Sequence, residues 1–405
     1  MKGFVPQLVS AIPVLPAYVE GRAAPLRRTD GGIRVVAVGE LGEGLGATWD
    51  ALSAHAAEPN VFARRWFLAP SLAHCAASNA GELVALMRGD EAIGLVPLAR
   101  ETHYGPIPVA HVADWTHPNM FLSGALIARG EERAGWTALL DMLAGRGEHY
   151  ALFGPFDRDG PVARGLVAAA DEAGYRCRLV RQENRALLHS ALPSDAYWQA
   201  ALPGKKRKEL RRQERRLGEL GVLGFDWLED DADLAHWCDD FLGLENAGWK
   251  GREGSAMASD AATERLFREV LSGAQVAKSL AMCRLTLDGR PIAMLVTLMA
   301  DGAGFSFKTA YDETLAAYSP GVLLQHYNLD LRSRAGLDWI DSCARPDHPM
   351  IDALWSERRA LAWYAVSLSG GVRRWAFDAV HALKALKRRL RGLPALHDRT
   401  TEEFV

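Results

Sequence analysis

The sequence predicts an α/β (α+β) fold with two similar domains in tandem, each a mixed central sheet flanked by helices. Short segments of alternating apolar residues recur between longer segments with helical periodicity along most of the 405 residues. A predicted hairpin in residues 83–99, LVALMRGDEAIGLVPLA, is repeated in residues 280–299, LAMCRLTLDGRPIAMLVTLM. In both copies an acidic residue and a glycine form the turn, which indicates an internal repeat.

Composition is compatible with two domains that each bury a core. Apolar residues make up 49% of the chain and the net charge is −3, so nothing favours binding to DNA. The five cysteines lie far apart, which argues against a disulfide framework or a metal site and favours a cytoplasmic protein. We expect a disordered leader at 1–32, domains at 33–190 and 191–370, and a basic amphipathic helix and tail at 371–405.

The first domain is predicted to alternate strands and helices around one long irregular stretch, 103–128, which is rich in Pro, Gly and His. Its other elements follow from apolar spacing and from turn residues such as Gly174. They are a strand at 33–38, helices at 45–55 and 62–75, the hairpin, a helix at 134–143, a strand at 150–153, a helix at 162–173 and a strand at 175–180.

The second domain is predicted to repeat this order. After the 280–299 hairpin come a strand at 304–310 and a helix that opens at Ser319. A strand at 339–343, a helix at 349–360 and a strand at 362–368 are expected to complete it.

The turn between the 304–310 strand and the next helix is a candidate phosphate site. Ser319 is expected at the N-cap and Pro320 at the first helical position, where its missing N–H costs no hydrogen bond. Small residues there, including Gly321, leave the first backbone N–H groups open to an anion. An ordinary capped connection explains the same residues.

Several segments of the C-terminal half resemble the GNAT acyltransferase superfamily, and more closely its FemAB-related branch that includes the CelD-like proteins of cellulose biosynthesis clusters. The segments that carry this resemblance are KKRKELRRQERRLGELG (205–221), FLGLENAGWKGREGSA (241–256), DGRPIA (288–293), FKTAYDE (307–313) and YSPGVLL (318–324).

The resemblance implies tandem GNAT-like domains, of which the first is degenerate, and acetyl-CoA or another acyl-CoA as co-substrate, with no metal. In the family the strand-to-helix turn holds the coenzyme pyrophosphate. Here YSPGVLL replaces the usual Arg/Gln-x-x-Gly-x-Gly loop, and the first half has no equivalent. The donor site is therefore expected in the second half only. Its predicted residues are Lys308, Ser319, Pro320, Gly321, Val322, Arg207 and Arg211.

Acyl transfer needs a base for the acceptor, polarisation of the thioester carbonyl and a proton for the leaving thiolate. We expect the base among Asp312, Glu313 and His348, which follow predicted strands. His348 has a suitable unperturbed pKa, although helix capping beside Asp347 and Pro349 explains it equally well.

The thiolate proton is expected from Tyr311 or Tyr318, either of which could instead pack in the cleft. Trp249 and Lys250 lie in a Gly-rich segment that resembles the acceptor-side loop of the family, and Asp341 completes the predicted substrate contacts. A flexible connector is the alternative interpretation of that loop.

Two basic helices have both a plain and a functional interpretation. In 205–216, Arg207, Arg211 and Arg215 share one face that could meet a coenzyme phosphate or an anionic acceptor; a solvated surface is the alternative. The helix at 372–390 combines Trp375 and a Leu stripe with Lys and Arg. It is expected either to dock on its own domain or to contact an anionic inner membrane or a membrane-bound synthase.

The sequence thus predicts an acyl-CoA-dependent acyltransferase, N-acetyl transfer being favoured, with a small-molecule or saccharide acceptor. A role in exopolysaccharide, cellulose or cell-envelope synthesis follows from the resemblance alone. The alternatives are a non-catalytic accessory protein of a polysaccharide-synthesis complex and a FemAB-like aminoacyl transferase. The expected location is the cytoplasm, with peripheral contact to the inner membrane as the second option; the oligomeric state is left open.

Overall fold

The computed structural model describes residues 32–39, 44–76 and 81–390. Nearly all of the predicted leader and the tail beyond residue 390 lie outside the described residues. The strands are β1 Ile33–Ala37, β2 Glu82–Arg88, β3 Glu91–Glu101, β4 His111–Asp114, β5 Leu126–Ile127, β6 Tyr150–Asp157, β7 Arg176–Leu188, β8 Leu223–Trp227, β9 Leu280–Leu287, β10 Arg290–Ala300, β11 Ala303–Tyr311, β12 Trp339–Asp341 and β13 Glu357–Ser367.

Helices cover both faces of these strands. The α-helices are α1 Leu45–Ala54, α2 Arg65–Cys75, α3 Glu132–Gly145, α4 Pro161–Glu172, α5 Ser194–Ala201, α6 Gly204–Gly218, α7 Leu234–Ala247, α8 Trp249–Arg252, α9 Ala261–Val276, α10 Pro320–Asn328, α11 Leu331–Arg334, α12 Ile351–Leu354 and α13 Gly371–Leu390. Short 3₁₀-helices lie at Val61–Ala63, Asp231–Asp233, Met257–Ser259 and Glu313–Tyr318. None of the described helices has the length and apolar character needed to cross a membrane.

The described strands join in one mixed sheet, which confirms the predicted α/β class. Their order is β1-β2-β3-β4-β6-β13-β7-β12-β11-β10-β9-β8, with β5 paired to β3. The pairs β4–β6 and β11–β12 are parallel and the other pairs are antiparallel. Both predicted hairpins form, as β2–β3 and β9–β10.

Strand β13 connects the two halves in an order that the sequence did not reveal. It comes late in the chain, yet it lies between β6 and β7 of the first half and pairs with both. Strand β7 in turn meets β12 of the second half through two residue pairs, Leu188–Ile340 and Leu187–Asp341. The predicted boundary at residue 190 thus falls just after β7, which pairs with β13 and β12 in one continuous sheet.

The expected helix at 349–360 is wrong. Only Ile351–Leu354 is helical, and Glu357 already begins β13. The segment ERRALA has good helix formers, but its pairing with two neighbouring strands outweighs that weak local preference.

Two further expectations change in the first half. The stretch expected to be irregular contains the short strands β4 and β5. The strand expected at 175–180 continues to Leu188, because β13 pairs with it along its whole length. Its polar second half, RQENRALL, gave no apolar alternation by which to recognise it.

The apolar core on one face of the sheet is continuous between the halves. A single cluster contains Phe62 and Phe67 of the first half together with Phe241, Phe267 and Phe305 of the second. The opposite face is divided, with α3 and α4 packing over the first half and separate clusters over the second.

A buried ion cluster lies where the halves meet. Asp341 has no exposed surface, and its Oδ2 atom accepts hydrogen bonds from Arg359 Nη1 at 3.0 Å and Arg185 Nη1 at 3.4 Å. Arg359 Nε also donates to Asp157 at 2.9 Å. Burial alone would lower the pKa of Arg359, but the Asp341 and Asp157 carboxylates raise it overall. The cluster ties β12, β7, β13 and β6 together.

Replacing Asp341 with Asn should therefore destabilise the fold strongly. The change leaves Arg185 without its carboxylate and removes one of two from Arg359, and breaking a buried pair costs about 3–5 kcal/mol. Urea unfolding of the variant measures the loss. Asp301→Asn, which breaks the more exposed pair with Arg64, is the matched control and should cost about 1 kcal/mol or less. Equal losses of unfolding free energy in the two variants would contradict the proposed contribution of the buried cluster to stability.

Candidate active site

The sheet opens between β11 and β12. The two strands are parallel neighbours only from Ala303–Trp339 to Phe305–Asp341. Strand β11 then continues to Tyr311, whereas β12 has ended. Beyond Phe305, none of the described strands pairs with β11 on this side, which leaves room for a ligand beside its backbone.

A β-bulge lies at the start of this opening. Lys308 pairs with Val296 and Ser306 pairs with Thr297, so Phe307 is the extra residue in β11. A bulge redirects side chains locally, and bulges are frequent next to active sites. Here the predicted donor residue Lys308 turns toward the first half of the chain.

Lys308 lies in a mostly buried polar cluster. Its Nζ atom donates a hydrogen bond of 2.6 Å to Asn119 Oδ1 and lies 5.4 Å from the centre of the Phe307 ring. Burial, and secondarily the neighbouring Lys250, lowers the pKa of Lys308 to about 8. A substantial fraction of this amine is therefore neutral near pH 8.

His117 comes from the same loop as Asn119. Burial, and then the charge of Lys308, lowers the pKa of His117 to about 4, so the ring is neutral at pH 7. Its Nδ1 atom accepts a long hydrogen bond of 3.4 Å from Asn119 N, and its buried Nε2 atom has no hydrogen-bond partner among the described residues. The first half thus contributes polar groups to a site whose strand belongs to the second.

The predicted acceptor loop is fixed to this cluster. Lys250 Nζ donates to Glu245 Oε1 at 2.7 Å and to Thr309 O at 3.3 Å. The other oxygen of the buried Glu245 accepts from Met257 N at 2.8 Å. Lys250 is therefore half-buried beside Lys308, whereas Trp249 is 46% exposed. These contacts hold the acceptor loop against β11 and α7.

A cleft of about 700 Å³ lies next to the acceptor loop. It collects three of the predicted catalytic residues, Tyr311, Asp312 and Glu313, against α7 and the acceptor loop. The other lining residues are Asp239, Asp240, Gly243, Leu244, Ala247, Gly248, Arg252, Arg290, Pro291 and Thr314.

The two carboxylates expected to act as bases are engaged in structural hydrogen bonds. Asp312 caps the 3₁₀-helix by accepting from Thr314 N at 3.0 Å and Thr314 Oγ1 at 2.6 Å. Glu313 accepts from Arg252 Nη2 and from Trp249 N, both at 2.6 Å. Its pKa is lowered, first by the Arg252 hydrogen bond and then by that from Trp249 N, which makes it a weak base.

The helix start is where it was expected, but it is less open than predicted. Ser319 is the N-cap residue with φ +55°, and its side chain makes no capping hydrogen bond. The Val322 and Leu323 N–H groups both donate to Ser319 O, whereas the Gly321 N–H donates no backbone hydrogen bond within the part of the chain that the structure describes. Gly321 is buried, and a Cβ atom built on it lies 3.6 Å from the Tyr311 ring. Tyr311 therefore lies between the cleft and the helix start.

Helix α6 packs beside this start through residues other than those expected. The predicted donor residue Arg207 donates to the carbonyls of Gln199 and Leu202, which gives it a structural role. Arg211 and Arg215 are exposed.

The basic residue of α6 that does reach this region is Arg216. Its guanidinium carbon lies 6.0 Å from the centre of the ring of Tyr318, the residue before the N-cap. On the same side, Gln213 Nε2 donates to Ala317 O at 3.0 Å. Sequence reasoning missed Arg216 because the packing angle of α6 was unknown.

Two other predicted residues have structural roles. His348 Nδ1 accepts a hydrogen bond of 3.4 Å from Ile351 N and so caps α12, which was one of its two expected roles. Asp341 is completely buried among arginines and cannot reach a substrate in this conformation, so its assignment to substrate binding is corrected. Its Oδ1 atom accepts from Cys343 N at 2.8 Å.

Four further members of the site were not predicted. His117 and Asn119 come from the Pro-, Gly- and His-rich stretch that was noted only as irregular, and Glu245 lies in the segment 241–256, which was noted only for its resemblance. Cys343 is buried near Lys308, and burial raises the pKa of its thiol well above the usual value. The signal in the sequence was the irregular Pro-, Gly- and His-rich stretch at 103–128, which gave no indication of the residues that it contacts.

Comparison with known proteins agrees with this geometry. Residues 204–348 match the sequence model of the acetyltransferase (GNAT) domain, a segment that includes β11, α10, β12 and the acceptor loop. No curated protein matches the chain significantly by sequence.

Solved structures show the same fold over most of the chain. The crystal structure of FemX has a TM-score of 0.53 and 8% identity, covering 83% of this chain and 98% of that one. The C-terminal domain of a protein named as a lysylphosphatidylglycerol synthetase from Agrobacterium fabrum has a TM-score of 0.50 and 12% identity, covering 84% and 95%. Residues 204–348 are thus similar in sequence to the acetyltransferase (GNAT) domain, and the chain shares its overall fold with these structures.

Glu313→Gln should loosen the acceptor loop without unfolding the protein. The change weakens the acceptors for Trp249 N and Arg252, and both contacts are near the surface. Trypsin should then cleave after Lys250 or Arg252 several times faster while the urea midpoint hardly moves. Glu253→Gln, an exposed position next to Arg252, should leave the cleavage rate unchanged. Wild-type cleavage rates in both variants would rule out the anchoring role of Glu313.

Proposed function

We propose that this protein is an acyltransferase that moves an acyl group from an acyl-CoA thioester, such as acetyl-CoA, to an amine or hydroxyl acceptor. The opening of the sheet between β11 and β12, inside the segment that matches the GNAT domain, carries the proposal. Backbone groups of a strand without a partner can polarise a carbonyl inserted beside them. Strand β11 has such groups next to the amine of Lys308.

The donor phosphates are proposed to lie at the start of α10. The proposed donors are the N–H of Gly321 and the guanidinium of Arg216, which lies beside the Tyr318 ring, and the helix dipole favours an anion there. The exposed Arg211 and Arg215 add positive charge to α6, the helix that carries Arg216. The acyl end would then run along β11 toward Lys308.

The acceptor is proposed to enter through the cleft at Tyr311. Its wall carries carboxylates, including Asp239 and Asp240, as well as the guanidinium groups of Arg252 and Arg290. Both signs of charge line the cleft, which suits a polar acceptor with an amine, such as an amino sugar or a peptide, better than an apolar one.

In the proposed reaction the acceptor nitrogen attacks the thioester carbonyl, the C–N bond forms and the C–S bond breaks. The ammonium of Lys308 would face the carbonyl oxygen and stabilise its developing negative charge. Tyr311 is the proposed proton source for the thiolate because it touches the helix start. The acceptor proton would pass to water in the cleft, because Asp312 and Glu313 are already hydrogen-bonded, and Tyr311 would regain its proton from that water.

Two other functions remain as alternatives. Aminoacyl transfer is suggested by the names of the structural neighbours, FemX and the lysylphosphatidylglycerol synthetase, whose likeness extends to the fold alone. In the second alternative, a non-catalytic accessory role in polysaccharide synthesis, Lys308 would have no catalytic function. The link to cellulose or envelope synthesis stays a prediction from the resemblance.

Calorimetric titration with acetyl-CoA, propionyl-CoA and free CoA tests the donor. Saturable binding, followed by mass-spectrometric detection of an acylated product with a panel of amino sugars and peptides, would support the proposal. Binding without turnover would favour the accessory role. No binding of any CoA species, with transfer from aminoacyl-tRNA, would replace the proposed donor by an aminoacyl one.

Arg216→Glu should weaken CoA binding by about tenfold or more. A carboxylate would replace the guanidinium beside Tyr318, and a charge-assisted contact contributes about 1.5–3 kcal/mol. Lys208→Glu is the matched control, since it makes the same charge change at an exposed position of the same helix. Equal losses of CoA affinity in the two variants would show that the effect comes from the net charge of the helix. That outcome would contradict a specific contact between Arg216 and the coenzyme.

Lys308→Met should lower kcat by about a hundredfold while the Kd for CoA stays within about threefold of wild type, because the amine acts in the transition state. In the wild type the pKa of Lys308 is lowered to about 8. The ammonium form is therefore complete below pH 7 and is lost as pH rises through 8, so kcat/KM should fall there.

The pH profile distinguishes this role from its opposite. If Lys308 acted as a base, kcat/KM would rise through pH 8 instead of falling. Lys278→Met, at an exposed position, should behave as the wild type does in both measurements.

A further inference from the structure

Helix α13 is held on the first half of the chain by one side. Phe377 is 6% exposed, and its ring stacks on Tyr150 with centroids 5.9 Å apart and planes 8° apart. The His381 ring lies 5.6 Å from Tyr104. Arg178 Nη2 donates to Asp378 Oδ1 at 2.9 Å. Aromatic packing and an ion pair thus fix which side of this helix faces outward.

The outward side carries large apolar residues. Trp375 is 72% exposed, Leu383 67% and Leu390 80%. They are eight and seven residues apart, which is about two helical turns each, so they form one row of roughly 22 Å along the helix. Exposed large apolar residues that recur on one helix face, rather than singly, indicate a surface that binds something.

The charge of the helix indicates what that surface fits. Its sequence has six basic residues, Arg373, Arg374, Lys384, Lys387, Arg388 and Arg389, and the single acidic residue Asp378. The Asp378 carboxylate already pairs with Arg178, so it does not offset the positive charge of the helix. An apolar row on a strongly basic helix complements a surface that is apolar inside and anionic at its boundary.

We propose that α13 lies on an anionic lipid surface, with Trp375, Leu383 and Leu390 inserted among the lipids. Apolar insertion and attraction to anionic headgroups add, as in interfacial helices. The sequence had posed docking on the domain and contact with a membrane as alternatives. The geometry combines them, because the helix docks through Phe377 and presents Trp375 to the other side.

This arrangement would attach the protein reversibly and in one orientation. Because Asp378 and Phe377 hold the helix on the first half, the whole body would be oriented with it. The inference does not depend on acyl transfer, since the helix lies outside residues 204–348.

Sedimentation of the full chain with vesicles tests the proposal. One set of vesicles contains phosphatidylcholine alone and the other contains phosphatidylcholine with about 40% phosphatidylglycerol, an anionic lipid, at 50 mM and 500 mM salt. We expect binding to the anionic vesicles at low salt, at least tenfold less binding at high salt, and little binding to neutral vesicles.

The double variant Trp375→Ser with Leu383→Ser should lose at least tenfold in vesicle binding and keep its unfolding midpoint, because both side chains are exposed. The matched control is Leu192→Ser with Val276→Ser, two apolar residues exposed elsewhere, which should bind as the wild type does. Wild-type binding by the first variant would overturn the proposal.

Light scattering of the wild type distinguishes lipid from a second copy of the chain. A monomer that binds anionic vesicles supports the lipid surface. A dimer that dissociates in the Trp375→Ser, Leu383→Ser variant, without vesicle binding by the wild type, would overturn it and make the row a subunit interface.

Discussion

The carboxylate of Asp341 is completely buried and accepts hydrogen bonds from two guanidinium groups that come from different strands. Isolated charges cannot be buried at reasonable cost, so Arg185, Arg359 and Asp341 must remain together or leave the core together. Strand β13 is kept between β6 and β7 by this requirement as well as by its backbone pairing. The two halves of the chain consequently form one sheet.

The same cluster determines the position of the candidate site. Asp341 is the last residue of β12, and its second oxygen holds the turn at Cys343, so it defines where β11 and β12 separate. Arg185 also donates to Phe121 O at 3.2 Å, which fixes the loop that carries Asn119. Asn119 in turn accepts from Lys308. Through this chain of contacts the first half orients the amine beside the opening.

The two halves of the chain therefore contribute different parts of one site. The second half has the opening, the helix start and the acceptor loop. The first half contributes His117 and Asn119 from the loop after β4, which packs against β11 of the second half through Phe121 and Phe307. Residues at the joint of two similar units can be polar and buried because each unit supplies partners for the other, and it is the burial that lowers the pKa of Lys308.

The sequence by itself determined the local structure. Turn chemistry predicted both hairpins, Ser319 and Pro320 predicted the start of α10, and apolar spacing predicted the α/β class, because these features depend on neighbours within a few residues. Only the tertiary structure decided that Glu357–Ser367 is a strand, that Asp341 is a structural anion and that Asn119 meets Lys308. It also decided that Trp375 faces outward, since the residues on the other side of α13 find their aromatic partners more than 200 positions earlier in the chain. Such choices depend on contacts between distant segments, and the pattern of a single segment carries no record of its partner.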